Sequence, residues 1–138
     1  MKINYLLMVF CYFNLYNCND RVEEYCQLKT FKVTATAYNS LVYQTNSNPN
    51  ITAFGDSLKP GMRYLAVSRD LLDSGLVYNT QVKIEGFDSL YIVKDKMNRR
   101  YYNRIDIYMD NDIKRAKQWG KKNVVIEYCI PPRDTITN

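Results

Sequence analysis

Residues Val93–Tyr108 have the sequence VKDKMNRRYYNRIDIY, in which two alternating runs each hold one aspartate. Alternation of apolar and polar residues with a period of two is typical of a β-strand with one buried face. A short basic and aromatic connection joins the runs, and Asp95 and Asp106 are eleven residues apart. The segment therefore predicts two strands, and their carboxylates meet at one site if the strands are close in the fold.

The two aspartates are predicted to have different surroundings. In the first run, Asp95 alternates in phase with Tyr91, Val93 and Met97, which places it on an apolar face. Burial on that face would raise the pKa of Asp95, so that it could donate a proton near neutral pH. In the second run, Asp106 lies on the polar side, opposite the isoleucines. The alternative is that both aspartates, like most acidic residues, only solvate the surface.

The composition restricts the chemistry. The chain has 138 residues, a length that suits one domain, with a formal net charge of +5 and no histidine. Ser-His-Asp and Cys-His catalysis are therefore excluded and a zinc site is disfavoured, so we expect no metal and no cofactor. Carboxylate chemistry remains, supported by Lys, Tyr, Ser and Thr. The modest positive charge suits an acidic polymer, either cell wall or nucleic acid.

The first 18 residues have the pattern of a secretory signal peptide. Lys2 is their one charged residue, and a mostly apolar run follows it. The alternative is an apolar N-terminal strand or helix of the domain. Cys18 at the junction could carry a lipid that anchors the protein to a membrane, although Tyr16 and Asn17 are not the small residues such sites prefer. Export to the periplasm, cell envelope or medium is predicted, and it argues against a nucleic-acid partner.

Two cysteines lie near the ends of the predicted domain, Cys26 and Cys129. In an exported protein they could form a disulfide that joins the termini, and the alternative is two free buried thiols. We predict an N-terminal extension over residues 19–30, a domain over 31–130 and a C-terminal tail over 131–138.

The rest of the chain has further strand patterns and one well-marked helix. Asp110, Asn111 or Asp112 can cap a helix that passes Trp119 and ends at Gly120. Short strands with one or two minor helices predict a mainly β fold, a small barrel of about six strands. The strand patterns occupy residues 31–38, 63–68, 81–85, 90–97, 104–108 and 124–130, and a single helical turn is predicted over 71–76.

Several segments resemble the 3D domain, a bacterial family named for three aspartates and related to the catalytic domain of membrane-bound lytic transglycosylase A. The resemblance covers about residues 32 to 130 and implies a six-stranded double-psi β-barrel. The chain departs from the family pattern at the first aspartate, which in the family directly follows the Ala-Val pair, because here Ser68 and Arg69 come between that pair and Asp70. Asp70 is the first choice for that position and Asp73 the second. The matching segments are Thr34–Tyr38, Ile51–Gly55, Leu65–Val67, Lys94–Asp95 and Asn103–Tyr108.

The resemblance implies a peptidoglycan lytic transglycosylase, and together with the predicted signal peptide it leads us to expect a secreted enzyme. We expect a monomer. Such an enzyme cleaves the β-1,4 bond from N-acetylmuramic acid to N-acetylglucosamine, and the muramic 6-hydroxyl closes a 1,6-anhydro ring. Asp95 would serve as general acid and then base, while Asp106 and Asp70 would stabilise positive charge or hold sugar hydroxyls. The implied substrate-binding residues are Thr52, Gly55, Lys94 and Tyr108.

A second hypothesis comes from another functional class. The same barrel could bind a cell-wall polysaccharide without turning it over, because a tyrosine-rich surface binds sugars without any catalytic group. The displaced first aspartate and the small size of the chain favour this alternative.

Overall fold

The computed structural model describes residues 26–40 and 50–131. The predicted signal peptide, Cys18, most of the N-terminal extension, part of the polar loop between the first two strands and nearly all of the C-terminal tail lie outside the described residues. No helix in the described part of the chain is long and apolar enough to cross a membrane.

The described chain forms six strands and two short helices. They are β1 Gln27–Tyr38, β2 Tyr64–Val67, α1 Arg69–Asp73, β3 Gln81–Ile84, β4 Tyr91–Lys96, β5 Arg104–Tyr108, α2 Ile113–Trp119 and β6 Lys122–Ile130. The predicted strands are all present, with bounds that differ by up to four residues. The predicted turn of helix begins two residues earlier than expected, at Arg69.

The six strands close into a barrel in the order β1-β5-β2-β4-β3-β6. The β1–β5 and β2–β4 pairs are parallel, and the other pairs are antiparallel. The prediction of a mainly β, six-stranded barrel with minor helices is confirmed. Two parallel pairs within an otherwise antiparallel barrel agree with the double-psi arrangement that the resemblance implied.

Alternate residues of every strand fill the barrel interior. In β1 the inward positions are Val33 and Ala35, both essentially inaccessible to solvent, whereas Thr34 and Thr36, which alternate with them, face outward. This is the period-two pattern that the sequence predicted for this strand. The interior is completed by Leu65, Val67, Val82, Ile84, Tyr91, Val93, Ile105, Ile107, Val124, Ile126 and Tyr128.

Strand β1 begins at Gln27, four residues before the predicted Phe31, so the predicted extension contributes to the barrel. Its first nine residues pair with β6, from Gln27 opposite Ile130 onward. Next to this pair Cys26 and Cys129 form a disulfide, with their Cα atoms 5.3 Å apart. Of the two alternatives left open by the sequence, the disulfide is therefore correct and the free thiols are wrong.

Helix α2 follows the predicted signals closely. The side chain of Asp112 accepts a hydrogen bond from the Arg115 backbone amide at 2.9 Å, which is the N-cap interaction, and the helix ends at Gly120 with a φ of 66°. The helix buries none of its residues fully. Trp119 lies partly buried against Phe87, with ring centroids 4.9 Å apart, and this contact holds α2 on the outside of the barrel.

Candidate functional site

A bulge in β4 decides the direction of Asp95. Val93 is the register partner of Leu65, but the next β2 residue, Ala66, is opposite Asp95, so Lys94 is an extra residue in β4. Leu65 and Val93 face the core, and Ala66 lies outside the core cluster. The prediction that Asp95 shares the face of Val93 is therefore wrong, because strict alternation along β4 stops at the bulge.

The bulge aligns four residues in one row across four neighbouring strands. Ala66 of β2 is the register partner of Asp95 on one side and of Asp106 on the other, and Asp106 is in turn opposite Thr36 of β1. We call these residues the carboxylate row. The strands are thus close enough for the two predicted carboxylates to share one surface, with only the methyl group of Ala66 between them.

Asp106 is the more strongly perturbed of the two acids. The Thr36 hydroxyl donates a hydrogen bond to Asp106 Oδ1 at 2.7 Å. Burial nevertheless raises the pKa of Asp106 to about 6, with a smaller contribution from the nearby Asp95 charge, while the Thr36 hydrogen bond and the Arg104 charge act in the lowering direction. Asp106 lies on the face of β5 opposite the buried isoleucines, as predicted, yet it is the acid with the pKa closer to neutrality.

Asp95 is held mainly by backbone amides. Its Oδ1 atom accepts hydrogen bonds from Ala53 N at 2.7 Å and from Lys96 N at 2.8 Å. Burial raises the pKa of Asp95, whereas both amides and the Lys96 charge stabilise the carboxylate form. The row therefore combines an acid whose carboxylate form is held by two amide donors with a second acid, Asp106, whose pKa of about 6 lies closer to neutrality.

The turn at residues 52–56 positions one of these amides, Ala53 N. The Thr52 hydroxyl accepts a hydrogen bond from Asp56 N at 3.0 Å, and Gly55 has a φ of 92°, which favours glycine. Thr52 and Gly55 were predicted to bind substrate. In the structure they shape the turn that directs Ala53 N at Asp95.

Lys94, another predicted binder, belongs to a polar cluster beside the row. Its Nζ atom is 3.1 Å from Asp56 Oδ1 and donates to the Tyr78 hydroxyl at 2.9 Å, and Tyr78 donates in turn to Asp56. The hydrogen bond with Tyr78 and the interaction with Asp56 raise the pKa of Lys94. Lys94 is therefore a cation paired with Asp56, and it holds Tyr78 in place.

Exposed aromatic rings lie beside this cluster. Phe54 and Tyr78 are 36% and 40% exposed, and their ring centroids are 5.1 Å apart. The Lys96 ammonium lies 5.0 Å from the Phe54 ring centroid. We call Phe54 and Tyr78 the aromatic patch. Because Ala53 and Lys96 both bond to Asp95, the patch directly adjoins the Asp95 end of the carboxylate row.

Tyr38 is a site residue that the sequence analysis did not single out. Its hydroxyl is buried without a hydrogen-bond partner in the described part of the chain, and burial together with the charges of Asp95 and Asp106 raises its pKa. Its ring packs against Tyr108 at 5.5 Å. Tyr108, a predicted binder, is itself buried, and its hydroxyl shares a hydrogen bond with Ser40 Oγ.

Signals for the missed residues differ in strength. Thr36 and Tyr38 occupy the polar face of a strand that the sequence predicted, so their position beside Asp106 follows once β1 is paired with β5. Asp56 and the aromatic patch come from loops, for which no periodic signal exists.

The structure places Asp70 away from the carboxylate row. Asp70 lies in α1, and its Oδ2 atom accepts a hydrogen bond from Asn103 N at 2.9 Å. This contact links helix α1, which follows β2, to the residue before β5. Asp73, the second choice for the first family aspartate, is the last residue of the same helix. Asp70 thus positions the strand that carries Asp106, and we assign it no contact with the other two acids.

No group of three His, Cys, Asp or Glu side chains with the geometry of a metal site occurs within residues 26–40 and 50–131. The acids of the site are held instead by amides, a hydroxyl and a lysine. Such a site can exchange protons and accept hydrogen bonds from ligand hydroxyl groups.

Comparisons with known proteins give structural similarity only. No protein-family profile and no curated protein matches the chain. The solved structures that resemble it include an expansin from Clavibacter michiganensis without ligand and a mutant of that expansin in complex with cellohexaose. For these the TM-scores are 0.45 and 0.44, the identities are 18% and 17%, and the matches cover 79% and 80% of this chain.

The matched region spans about half of each expansin chain, 53% and 54%. A Streptomyces papain inhibitor also resembles the chain, with a TM-score of 0.49, 15% identity, and coverage of 74% of this chain and 94% of the inhibitor.

Proposed function

We propose that this protein binds the glycan strands of a cell-wall polysaccharide along the carboxylate row. Peptidoglycan is the first candidate ligand. The observation that carries the proposal is the alignment of Asp95, Ala66, Asp106 and Thr36 across adjacent strands, next to two exposed aromatic rings. Perturbed acids gathered at one surface are a recognised mark of a functional site.

The chemistry of the row suits a sugar. Carboxylates accept hydrogen bonds from hydroxyl groups, and charge-assisted bonds of this kind are stronger than neutral ones. Aromatic rings offer apolar faces to the C–H faces of pyranose rings, and the Phe54–Tyr78 pair is exposed for this contact. The Tyr38 hydroxyl, buried and unpartnered among the described residues, gains a partner if a ligand hydroxyl enters the row. The Cys26–Cys129 disulfide supports export to the compartment in which such polymers occur.

Binding is tested by sedimentation with peptidoglycan sacculi and by titration with soluble glycan fragments. The double variant Phe54→Ala/Tyr78→Ala is expected to bind about tenfold more weakly, because the stacking surface is lost. Leu28→Ala is the matched control, since Leu28 is also exposed but lies at the distant start of β1. Cello-oligosaccharides test whether a glucan replaces the amino-sugar polymer. A folded wild-type protein that binds none of these ligands would contradict the proposal.

A second candidate function is cleavage of the same glycan by the lytic transglycosylase reaction. It is favoured by one observation, the pKa of Asp106 raised to about 6, which leaves a usable fraction of proton donor near neutral pH. Asp106 would donate its proton to the glycosidic oxygen as the bond from that oxygen to the anomeric carbon breaks. The muramic 6-hydroxyl would then attack the anomeric carbon and return its proton to Asp106.

This scheme exchanges the roles of Asp95 and Asp106 that the family resemblance implied. Asp95, held by two amides, would remain ionised and stabilise the positive charge that develops on the sugar ring. The expected products are muropeptides with 1,6-anhydro ends, identified by mass spectrometry, and Asp106→Asn is expected to reduce their yield about a hundredfold. Reducing ends one water heavier would indicate a hydrolase instead. Sacculi that are bound but release no fragments would leave the binding function alone.

A further inference from the structure

Two arginines flank one tyrosine ring close to Asp106, at the start of β5. The guanidinium carbons of Arg100 and Arg104 lie 4.8 Å and 4.7 Å from the centroid of the Tyr101 ring. Arg100 also donates a hydrogen bond to the Tyr101 hydroxyl at 2.8 Å. We call these three residues the arginine clamp. Stacking of this kind fixes guanidinium groups in place before any ligand arrives.

Neither guanidinium forms an ion pair within the described part of the chain, although the Arg104 charge acts on Asp106 in the direction that lowers its pKa. The ion pair found there joins Lys94 and Asp56. Asp70 is the acid of the adjoining segment, but its carboxylate accepts the Asn103 amide and is not within ion-pair distance of either arginine. The Nε atom of Arg104 is buried and has no hydrogen-bond partner among the described residues. Buried donors are normally paired, so a missing acceptor is expected at this position.

The clamp and the carboxylate row share one face. Arg104 precedes Asp106 by two residues in β5, and alternation therefore directs both side chains outward from the barrel. Arg104 is opposite Thr34 of β1, so it lies beside the row, one outward position along β5 from Asp106. A polymer bound along the row would therefore have Arg104 at its side. On the Asp95 side, the Lys96 ammonium lies above Phe54. A cation thus lies beside each of the two acids, Lys96 near Asp95 and Arg104 near Asp106.

We propose that the arginine clamp binds a carboxylate carried by the polysaccharide, so that the site selects acidic over neutral glycans. The inference rests on the proposed function, because the clamp acts on a glycan already placed along the row. A planar guanidinium matches a carboxylate with two parallel hydrogen bonds, and two stacked guanidiniums provide more donors than a single acid requires. The carboxylate could belong to the lactyl group or stem peptide of peptidoglycan or to a uronic acid residue.

The test compares glycans with and without carboxylate groups, and it compares the possible sources of the carboxylate. Affinities are measured for oligouronates, for the same oligomers after reduction of their carboxyl groups, and for peptidoglycan glycan fragments with and without stem peptides. Wild type is expected to prefer the carboxylated form at least tenfold. In Arg104→Gln and Arg100→Gln the ratio of the two affinities is expected to fall about tenfold, and Arg104→Lys is expected to recover part of it, since charge remains while the fork is lost.

Lys83→Gln is the matched control, because it removes one positive charge from an exposed position on β3 without touching the row. Its affinity ratio is expected to equal that of the wild type, and thermal melting checks that every variant is folded. Preference for peptidoglycan fragments over oligouronates would identify a peptidoglycan carboxylate as the source, on the lactyl group if fragments without stem peptides bind best and on the stem peptide if fragments with them do. The reverse preference would identify a uronic acid.

Two results overturn the inference in different ways. Equal affinity of wild type for charged and neutral oligomers, or equal losses for both in the arginine variants, would overturn the clamp and leave the proposed function standing. If wild type binds no glycan of either kind, the proposed function falls and the clamp falls with it.

Discussion

The effect of Asp106→Asn on the free energy of unfolding is expected to become about 2 kcal/mol more stabilising between pH 4 and pH 8. Burial raises the pKa of Asp106 from its ordinary value of 3.8 to about 6 in the folded state. The folded protein therefore binds more protons than the unfolded chain between these values. Stability that depends on the protonated acid is fully present below the unfolded pKa and is lost as pH rises through the folded pKa.

The size of this effect follows from the pKa difference. A rise from 3.8 to about 6 corresponds to about 3 kcal/mol at high pH, since one pKa unit is about 1.4 kcal/mol. Asparagine carries no charge at any pH and keeps a hydrogen-bonding oxygen for Thr36, so it avoids this cost. Urea unfolding of both proteins at pH 4, 6 and 8 measures the difference.

An exposed acid provides the control. Asp88 lies exposed in the segment before β4, and Asp88→Asn is expected to change the free energy of unfolding by less than about 0.5 kcal/mol at each pH. A difference between Asp106→Asn and wild type that does not change with pH would contradict the assigned environment of Asp106. The predicted gain in stability is typical of functional sites, where charged groups are kept at the expense of stability.

Removal of the disulfide is expected to reduce the free energy of unfolding by about 2–4 kcal/mol. Cys26 and Cys129 are separated by 103 residues, so the bridge closes a loop that includes nearly all of the barrel. In the chain-entropy description, a crosslink stabilises mainly by restricting the unfolded chain, and the effect grows with the length of the closed loop. The double variant Cys26→Ser/Cys129→Ser, compared with oxidised wild type by thermal and urea unfolding, measures this contribution.

Reduced wild type is the natural comparison for that variant. If restriction of the unfolded chain is the cause, reduced wild type and the double serine variant are expected to unfold at the same midpoint, well below oxidised wild type. Melting midpoints of oxidised and reduced protein that coincide would show that the β1–β6 pairing holds the termini without help from the bridge. The single variants are avoided because each leaves a free thiol.

Local pattern predicted a large part of this fold. The inward residues of β1, β3 and β6 follow the period of two, and helix α2 ends at the glycine that the sequence marked. The strand bounds were predicted less well where pairing extends them, as in β1, because Gln27 to Thr30 are held by β6 and not by a pattern of their own. Local sequence cannot contain the register of a partner that lies about a hundred residues away.

The candidate site divides in the same way. The sequence by itself determined that two aspartates eleven residues apart lie on two strands, and that no histidine chemistry is possible. The closed barrel decided that Ala66 separates them and that Tyr38 and Thr36 complete the surface. The bulge at Lys94 decided the face of Asp95, and burial between strands decided that Asp106 has the higher pKa. Side-chain direction and desolvation depend on neighbours brought together by strand pairing, and a one-dimensional pattern does not include them.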